Sequence, residues 1–212
     1  MADDDTPRIE PRENGPYMVR GLDDLRGPDG AALECKPVMA LCRCGHSSNK
    51  PFCDGSHGEV GFEAEPQPAD AAGTVHVYEG KRLTIRWNEL TCSHAAKCVA
   101  TSRDAFDPDR KPWIDPDRPE AVLKAACTAC PSGALSWQET GGEASHGAPE
   151  GVAVRIAKDG PLEVMNLALE DDATWPEASN ARQYVLCRCG ASKNKPFCDG
   201  SHTGIDWDGS LA

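Results

Sequence analysis

The chain has 212 residues, of which 34 are acidic and 22 are basic, so its formal net charge is −12. So acidic a surface repels phosphate groups and anionic lipids, which argues against a nucleic-acid-binding or membrane-surface protein. No apolar run approaches the roughly 18 residues of a membrane span, and the N-terminal sequence MADDDTPR has no apolar signal core, so we expect a soluble, cytoplasmic protein.

The cysteine content points to metal chemistry. Eleven cysteines occur in a chain that has only 39% hydrophobic and 6% aromatic residues. In a protein that is not secreted, this many cysteines favour metal binding over a disulfide framework. The hydrophobic core is expected to be small.

The chain contains an internal repeat. Residues 42–57 (CRCGHSSNKPFCDGSH) recur as residues 187–202 (CRCGASKNKPFCDGSH), with 14 of 16 positions identical. We therefore predict two duplicated units, residues 8–62 and 153–207. Units of about 55 residues bury too little apolar surface to be stable easily, so a bound metal would supply part of the missing stability.

Each unit is expected to begin with a short strand, at Tyr17–Arg20 in the first unit and at Leu162–Asn166 in the second. Coil should surround the cysteines that follow. Cys53 and His57 are four residues apart, so one helical turn places both on the same face. Asp54 stands where a cap for that turn is needed.

Each copy of the repeat carries the spacing C-x-C-x8-C-x3-H, which supplies four metal ligands. The candidate ligands are Cys42, Cys44, Cys53 and His57 in the first copy, and Cys187, Cys189, Cys198 and His202 in the second. A zinc site with three cysteines and one histidine uses the same ligand types, and an iron–sulfur cluster is the alternative. Purely structural cysteines would not be expected to recur with a histidine at fixed spacing.

Between the duplicated units lies a middle unit, residues 74–137. It is bracketed by two stretches rich in Gly, Pro, Ala and Glu, residues 63–73 and 138–150, which read as linkers. The middle unit opens with a β-hairpin pattern, in which Thr74–Tyr78 and Arg82–Arg86 alternate β-branched or aromatic residues with polar ones.

Two helices are predicted in the middle unit. The first covers His94–Ala100. The second covers Arg118–Ala126, where Asp117 and Glu120 have the spacing of a capping box.

The middle unit has its own cysteine pattern. Cys92 and Cys98 precede a remote Cys130-Pro131, and a remote Cys-Pro is typical of bacterial ferredoxin patterns. Three cysteines favour a [3Fe–4S] cluster. A fourth ligand, Cys127 or His94, would allow a [4Fe–4S] cluster, but a buried apolar Cys127 and a surface or packing role for His94 are the alternatives.

The duplicated motif C-x-C-x2-Ser-x3-Pro-x-C-D-G-S-H resembles the CDGSH iron–sulfur family of the mitoNEET type, and both copies match at every signature position. The resemblance implies a [2Fe–2S] cluster in each copy, held by the three cysteines and the histidine, with the histidine on the outer iron near solvent. It also implies that the two halves form a pseudo-twofold pair. The middle unit, with CSHAAKC and CPSGALSW, resembles a divergent single-cluster ferredoxin domain found beside CDGSH units.

The expected fold is therefore α+β and loop-rich, with two CDGSH repeats that pair within the chain and a ferredoxin-like βα insertion between them. We expect a monomer that transfers single electrons between redox protein partners. The alternative is a redox- or pH-sensitive donor of [2Fe–2S] clusters. The chain has no G-x-G-x-x-G, phosphate-loop or H-E-x-x-H motif, so we do not expect an enzyme.

Overall fold

A computed structural model of the chain describes residues 6–64, 75–170, 175 and 179–212. Thr74 and the part of the first predicted linker beyond residue 64 lie outside the described residues. Within the described part, the strands and helices are short, and no helix is both long and apolar enough to cross a membrane. The combination of three sheets with a few short helices agrees with the predicted α+β class.

The described residues form twelve strands and four helical segments. The strands are β1 (Arg8–Pro11), β2 (Tyr17–Arg20), β3 (Leu25–Arg26), β4 (Val38–Leu41), β5 (Val75–Glu79), β6 (Leu83–Asn88), β7 (Leu135–Glu139), β8 (Ala144–Ser145), β9 (Ala153–Ile156), β10 (Leu162–Met165), β11 (Ala168–Leu169) and β12 (Gln183–Leu186). The helices are α1 (Ser56–Glu59), α2 (Lys97–Thr101) and α3 (Glu120–Thr128), followed by a 3-10 helix at Ser201–Gly204.

The strands of the two duplicated units correspond one to one. β1, β2 and β4 match β9, β10 and β12 at the same 145-residue offset as the repeated motif. The strand predicted at Tyr17–Arg20 is confirmed. Its counterpart ends at Met165 instead of Asn166, because Asn166 has a φ of 54°, a left-handed conformation that does not continue a strand.

The two units exchange strands. One sheet has the order β11-β1-β2-β4 and the other has the order β12-β10-β9-β3. β11 of the second unit therefore pairs in parallel with β1 of the first, and β3 of the first unit pairs in parallel with β9 of the second. Each sheet is completed by a strand from the other unit, so an otherwise unpaired strand edge is satisfied.

The two units also share one hydrophobic core. Ile9, Val19 and Leu41 of the first unit are fully buried in the same cluster as Val154 and Leu186 of the second. Apolar burial grows with domain size, so pairing offsets the small size of each unit. Packing between the units thus supplies part of the stability that the sequence analysis expected from a bound metal.

The middle unit forms a separate small domain. Its sheet has the order β5-β6-β7-β8, and α3 packs against β7 and α2. The predicted hairpin is present as β5 and β6, with Tyr78 opposite Ile85. Leu83, Phe106 and Leu123 lie in its own buried cluster.

The predicted helices of the middle unit differ from the observed ones at their first residues. The helix expected from His94 begins only at Lys97, because His94 and Ala96 both have positive φ angles, 55° and 54°, which an α-helix does not tolerate. The second predicted helix begins two residues late, at Glu120, without a side-chain cap.

The predicted capping box is wrong. The residue that precedes α3 is Pro119. The carboxylate of Asp117 instead accepts a hydrogen bond of 2.8 Å from the backbone N–H of Lys81, which ties the hairpin turn to the segment before α3. The carboxylate that the local pattern predicted to cap the helix is therefore used in a tertiary contact instead.

Candidate metal centres

The four candidate ligands of the first motif lie in two pairs. The Sγ atoms of Cys42 and Cys44 are 3.8 Å apart, and Sγ of Cys53 is 3.4 Å from Nδ1 of His57. Metal–sulfur bonds of about 2.3 Å and metal–nitrogen bonds of about 2.0 Å in a tetrahedron separate two ligands by roughly 3.5 to 3.8 Å. Each pair therefore has the spacing of two ligands on one tetrahedral metal.

The second motif repeats this arrangement. The Sγ atoms of Cys187 and Cys189 are 3.7 Å apart, and Sγ of Cys198 is 3.4 Å from Nδ1 of His202. The structure thus brings the eight candidate ligands together as four pairs. Among the described residues, no group of three or more His, Cys, Asp or Glu side chains is placed to hold a single metal ion.

An aspartate holds each ligand loop in shape. The carboxylate of Asp54 accepts hydrogen bonds from the backbone N–H of Ser56, at 3.0 Å, and from that of Ser48, at 2.7 Å. Asp199 makes the matching bonds in the second motif. The N-cap residue of α1 is Gly55, without a side-chain cap, so Asp54 is not the cap that the sequence predicted. It acts as a clamp that joins the turn carrying the histidine to the loop between the cysteines.

One thiol of each Cys-x-Cys pair is held as a thiolate. The hydrogen bond from Cys44 lowers the pKa of Cys42 to about 5, and backbone N–H groups, including that of Ser47, act in the same direction. The hydrogen bond from Cys189 likewise lowers the pKa of Cys187 to about 6. The thiolate is the form that binds metal, so these loops favour the ligating state of one cysteine in each pair. The same hydrogen bond raises the pKa of the other cysteine, Cys44 or Cys189.

The two ligand loops touch each other back to back. A Cβ on Gly45 would lie 2.6 Å from the carbonyl oxygen of Cys189, and a Cβ on Gly190 would lie 2.5 Å from that of Cys44. Both glycines have positive φ angles, 84° and 81°. Only glycine fits this reciprocal contact, so the conserved spacing of the duplicated motif also serves the pairing of the two units. 

The three candidate ligands of the middle unit line one cavity. Cys92, Cys98 and Cys130 share it with Trp87 and Ser93, among other residues. Burial raises the pKa of Cys92 and raises that of Cys98 to about 11. Without a bound cation these thiols therefore remain protonated, so a metal would have to displace their protons.

Three buried hydrogen-bond donors line this cavity without a partner atom within the described part of the chain. They are the indole Nε1 atoms of Trp87 and Trp113 and the hydroxyl of Ser93. The indole of Trp87 lies beside Cys92, whose pKa it lowers against the larger effect of burial. A group rich in acceptors, such as the sulfides of an iron–sulfur cluster, would satisfy them. Sequence spacing gave no signal for Trp87 or Ser93, because neither is a cysteine or a histidine that a ligand pattern would single out.

The two proposed fourth ligands do not line the cavity in the described structure. Cys127 is 2% exposed and packs in the core of the middle unit, on α3. His94 is exposed and its ring lies beside Gly200 of the second motif. The cavity is therefore built from the three cysteines Cys92, Cys98 and Cys130.

Two families of known proteins match this chain. The family described as "Iron-binding zinc finger CDGSH type" matches residues 14–58 and 159–203, and the family described as "Divergent 4Fe-4S mono-cluster" matches residues 78–140. The chain belongs to the CDGSH-type iron-binding family. Its two CDGSH domains flank a divergent 4Fe-4S domain, which confirms the resemblance that the motifs indicated.

A relative is known in Escherichia coli. The protein YjdI of strain K12, described as uncharacterized, is 34% identical to this chain over 67 residues, which cover 31% of this chain and 88% of YjdI. YjdI of strain O157:H7 matches with the same figures.

The 4Fe-4S domain packs against the second CDGSH domain. The side-chain amide of Asn194 donates a 2.7 Å hydrogen bond to the carbonyl oxygen of Leu90, and that of Gln183 donates a 2.9 Å bond to the carbonyl oxygen of Cys130. The loop that carries Cys92 and the ligand loop of the second CDGSH domain are therefore in direct contact.

This contact makes the two CDGSH sites unequal. A Cβ on Gly200 would lie 3.0 Å from Cδ2 of His94, whereas a Cβ on the corresponding Gly55 would meet nothing within 4 Å among the described residues. Cys198 is 2% exposed, and its burial raises its pKa to about 12. The equivalent Cys53 is only partly buried. 

Proposed function

We propose that the chain binds two [2Fe–2S] clusters, one in each CDGSH domain, and one [3Fe–4S] or [4Fe–4S] cluster in the middle domain. The three cysteines and the histidine of each motif would hold the former, and Cys92, Cys98 and Cys130 the latter. The protein would carry single electrons between redox proteins of the cytoplasm and would have no catalytic site of its own.

The paired spacing of the ligands carries this proposal. Each motif offers two sulfurs 3.8 or 3.7 Å apart and, separately, a sulfur and an imidazole nitrogen 3.4 Å apart. Two irons bridged by sulfide need such a pair for each iron. A mononuclear zinc ion would need all four donors around one point, so the arrangement favours the two-iron cluster.

The ligand set suits electron transfer at a moderately high potential. A bound [2Fe–2S] cluster accepts and returns one electron, and replacing one thiolate by a neutral imidazole makes the site less negative, which raises its potential above that of a four-cysteine cluster. The motif loops hold Cys42 and Cys187 as thiolates and bury them, which excludes water from the inner end of each site.

The contacts between domains support a relay function. The two ligand loops of the CDGSH domains meet through Gly45 and Gly190, and the middle domain meets the second CDGSH domain through Leu90 and Asn194. We propose that the CDGSH domains form a pseudo-twofold pair within a monomer. The net charge of −12 would favour a partner with a basic docking face and disfavour nucleic acid.

Metal and sulfide analysis tests the cluster assignment. Protein purified under anaerobic conditions is expected to hold roughly seven or eight irons per chain with matching acid-labile sulfide. Zinc without sulfide would contradict the proposal. Electron paramagnetic resonance of the protein as isolated distinguishes the nuclearities, because an oxidised [3Fe–4S] centre gives a signal and an oxidised [4Fe–4S] centre does not.

A redox titration tests the carrier function. Stepwise addition of dithionite should reduce the clusters reversibly by one electron each, with the visible spectrum restored on reoxidation. Loss of iron during one cycle would count against electron transfer and in favour of cluster donation.

The exposure of the first CDGSH site favours a second candidate function, the donation of [2Fe–2S] clusters. Cys53 is only partly buried, and Gly55 beside it faces open space within the described structure. Incubation with an apo-ferredoxin would test this function. Donation predicts cluster transfer that His57→Cys abolishes, whereas a pure carrier transfers no iron.

A further inference from the structure

A cleft lies between the 4Fe-4S domain and the second CDGSH domain, and Gly27, Pro28 and Gly30 of the first duplicated unit complete its lining. Its volume is about 480 Å³, within the range of small-ligand sites. Lys97 of α2 lies on one wall, and Arg155 and Lys158 lie on the other. The cleft exists only because the two domains are packed together, so no single domain contains it.

The charge of the cleft is opposite to that of the chain. Three cations and one carboxylate, Glu163, line it, in a protein with a net charge of −12. Glu163 lies opposite Arg155 across the β9–β10 pair. Burial raises the pKa of Glu163, and the nearby charges of Lys97 and Arg155 act in the opposite direction. Within the described part of the chain, no carboxylate lies within 4.0 Å of the side-chain nitrogens of Lys97, Arg155 or Lys158.

Elsewhere on the protein, the cations that line a cleft do have carboxylate partners. In a cleft on the middle domain, Lys81 lies 3.6 Å from Asp117 and Arg82 lies 3.5 Å from Glu120. The cations there are neutralised by neighbouring carboxylates. The cations of the interdomain cleft have no carboxylate within 4.0 Å among the described residues, so they are available to bind a negatively charged ligand.

A ring nitrogen of His202 also faces this cleft. Nδ1 of His202 lies beside Sγ of Cys198, whereas Nε2 would lie 3.7 Å from a Cβ on Gly160 and has no hydrogen-bond partner among the described residues. The missing side chain of Gly160 leaves Nε2 open. A histidine that binds a metal through one nitrogen commonly donates its other N–H to an oxygen acceptor.

We propose that the interdomain cleft binds a small oxyanion with two or more negative charges, held by Lys97, Arg155 and Lys158 and accepting a hydrogen bond from Nε2 of His202. Phosphate groups and carboxylates share this chemistry. Charge-assisted hydrogen bonds to such groups are strong and short, and three cations that can form them line this cleft. The hydrogen bond from His202 rests on the proposed ligation of a cluster by its Nδ1, whereas the contribution of the three cations does not.

Isothermal titration calorimetry tests the site on the full-length protein with its metal content as purified. Sodium pyrophosphate and sodium citrate are titrated separately at constant ionic strength. We expect a saturable isotherm with one ligand per chain for at least one of them. Binding of pyrophosphate alone would identify a phosphate-bearing ligand, and binding of citrate alone a polycarboxylate. Binding of neither would overturn the proposal.

A matched pair of variants locates the site. The double variant Lys97→Ser with Arg155→Ser should weaken the affinity at least about tenfold. The double variant Lys81→Ser with Arg82→Ser removes the same charge from the other cleft and should leave the affinity unchanged. Visible circular dichroism checks that each variant is folded. Equal loss in both variants, or no loss in either, would show that binding is non-specific and would refute the site.

Discussion

The two CDGSH domains have the same ligands and different surroundings. Their paired ligand distances agree within 0.1 Å, and the clamps of Asp54 and Asp199 are the same. The 4Fe-4S domain nevertheless covers only the second motif, through Leu90 and His94. A local motif therefore sets which atoms can bind metal, whereas the packing of domains sets how far water and partners can reach them.

The largest expected effect is at the contact between the two CDGSH ligand loops. Substitutions on either side of this contact should destabilise the protein to a similar extent. Gly190→Ala places a Cβ 2.5 Å from the carbonyl oxygen of Cys44 at a positive φ. Backbone strain and the clash should together lower the free energy of unfolding by about 3 kcal/mol and Tm by roughly 10 °C. Thermal unfolding followed by far-ultraviolet circular dichroism measures this loss.

Gly45→Ala is the matched variant, because its Cβ would lie 2.6 Å from the carbonyl oxygen of Cys189. We expect a similar loss. A large effect at one glycine with none at the other would show that the contact between the ligand loops is not reciprocal.

The two CDGSH sites should differ in how readily acid releases their clusters. The imidazole must be neutral to bind metal. Burial lowers the pKa of His202, so this histidine becomes protonated only at more acidic pH. The cluster of the covered site should therefore be retained to a lower pH as the pH falls from 7 toward 5. We expect the visible absorbance to bleach in two phases, with the first CDGSH site several-fold faster.

The matched variants assign the phases. His57→Cys removes the titrating ligand of the exposed site and should abolish the fast phase, whereas His202→Cys should abolish the slow one. Stopped-flow absorbance after a pH jump measures both rates. A single phase that neither variant changes would remove the histidines from the coordination sphere.

A smaller difference is expected at the glycine that follows the third cysteine ligand. Gly55→Ala and Gly200→Ala both impose a positive φ on alanine, 96° and 83°, which costs about 1 kcal/mol each. Only Gly200→Ala also crowds Ser93 and His94. It should therefore destabilise the protein by about 1 kcal/mol more and speed the slow bleaching phase. Equal losses of stability would indicate that the 4Fe-4S domain does not cover the second site in solution.

The smallest expected effect lies at the third site. Trp87→Phe removes the indole N–H that lies beside Cys92 in the cavity of Cys92, Cys98 and Cys130. A hydrogen bond of about 1 kcal/mol that favours the reduced, more negative cluster corresponds to roughly 40 mV, so its loss should lower the potential by about that much. Spectroelectrochemistry should show this shift in the third centre alone, and a shift in the CDGSH centres instead would contradict the assignment of the cavity.

Local sequence patterns predicted secondary structure correctly where it depends on residues that are close together in the chain. The strand at Tyr17–Arg20 and the hairpin of β5 and β6 follow from alternation of apolar and polar residues, and both are observed. The patterns failed where contacts with residues distant in the chain determine the local backbone conformation. The helix expected at His94 starts later because His94 and Ala96 take left-handed conformations, in the loop that packs against Gly200 of the second CDGSH domain.

The amino-acid sequence by itself determined the duplicated ligand sets, the separate cysteine trio and the family, because these depend on residue type and on spacing along the chain. Only the tertiary structure decided that β3 and β11 are exchanged between the units, that Trp87 and Ser93 face the third cavity, and that one CDGSH site is covered. These features arise from contacts between residues that are far apart in the chain. A periodic pattern records which face of a strand is apolar, but not which distant surface it will meet.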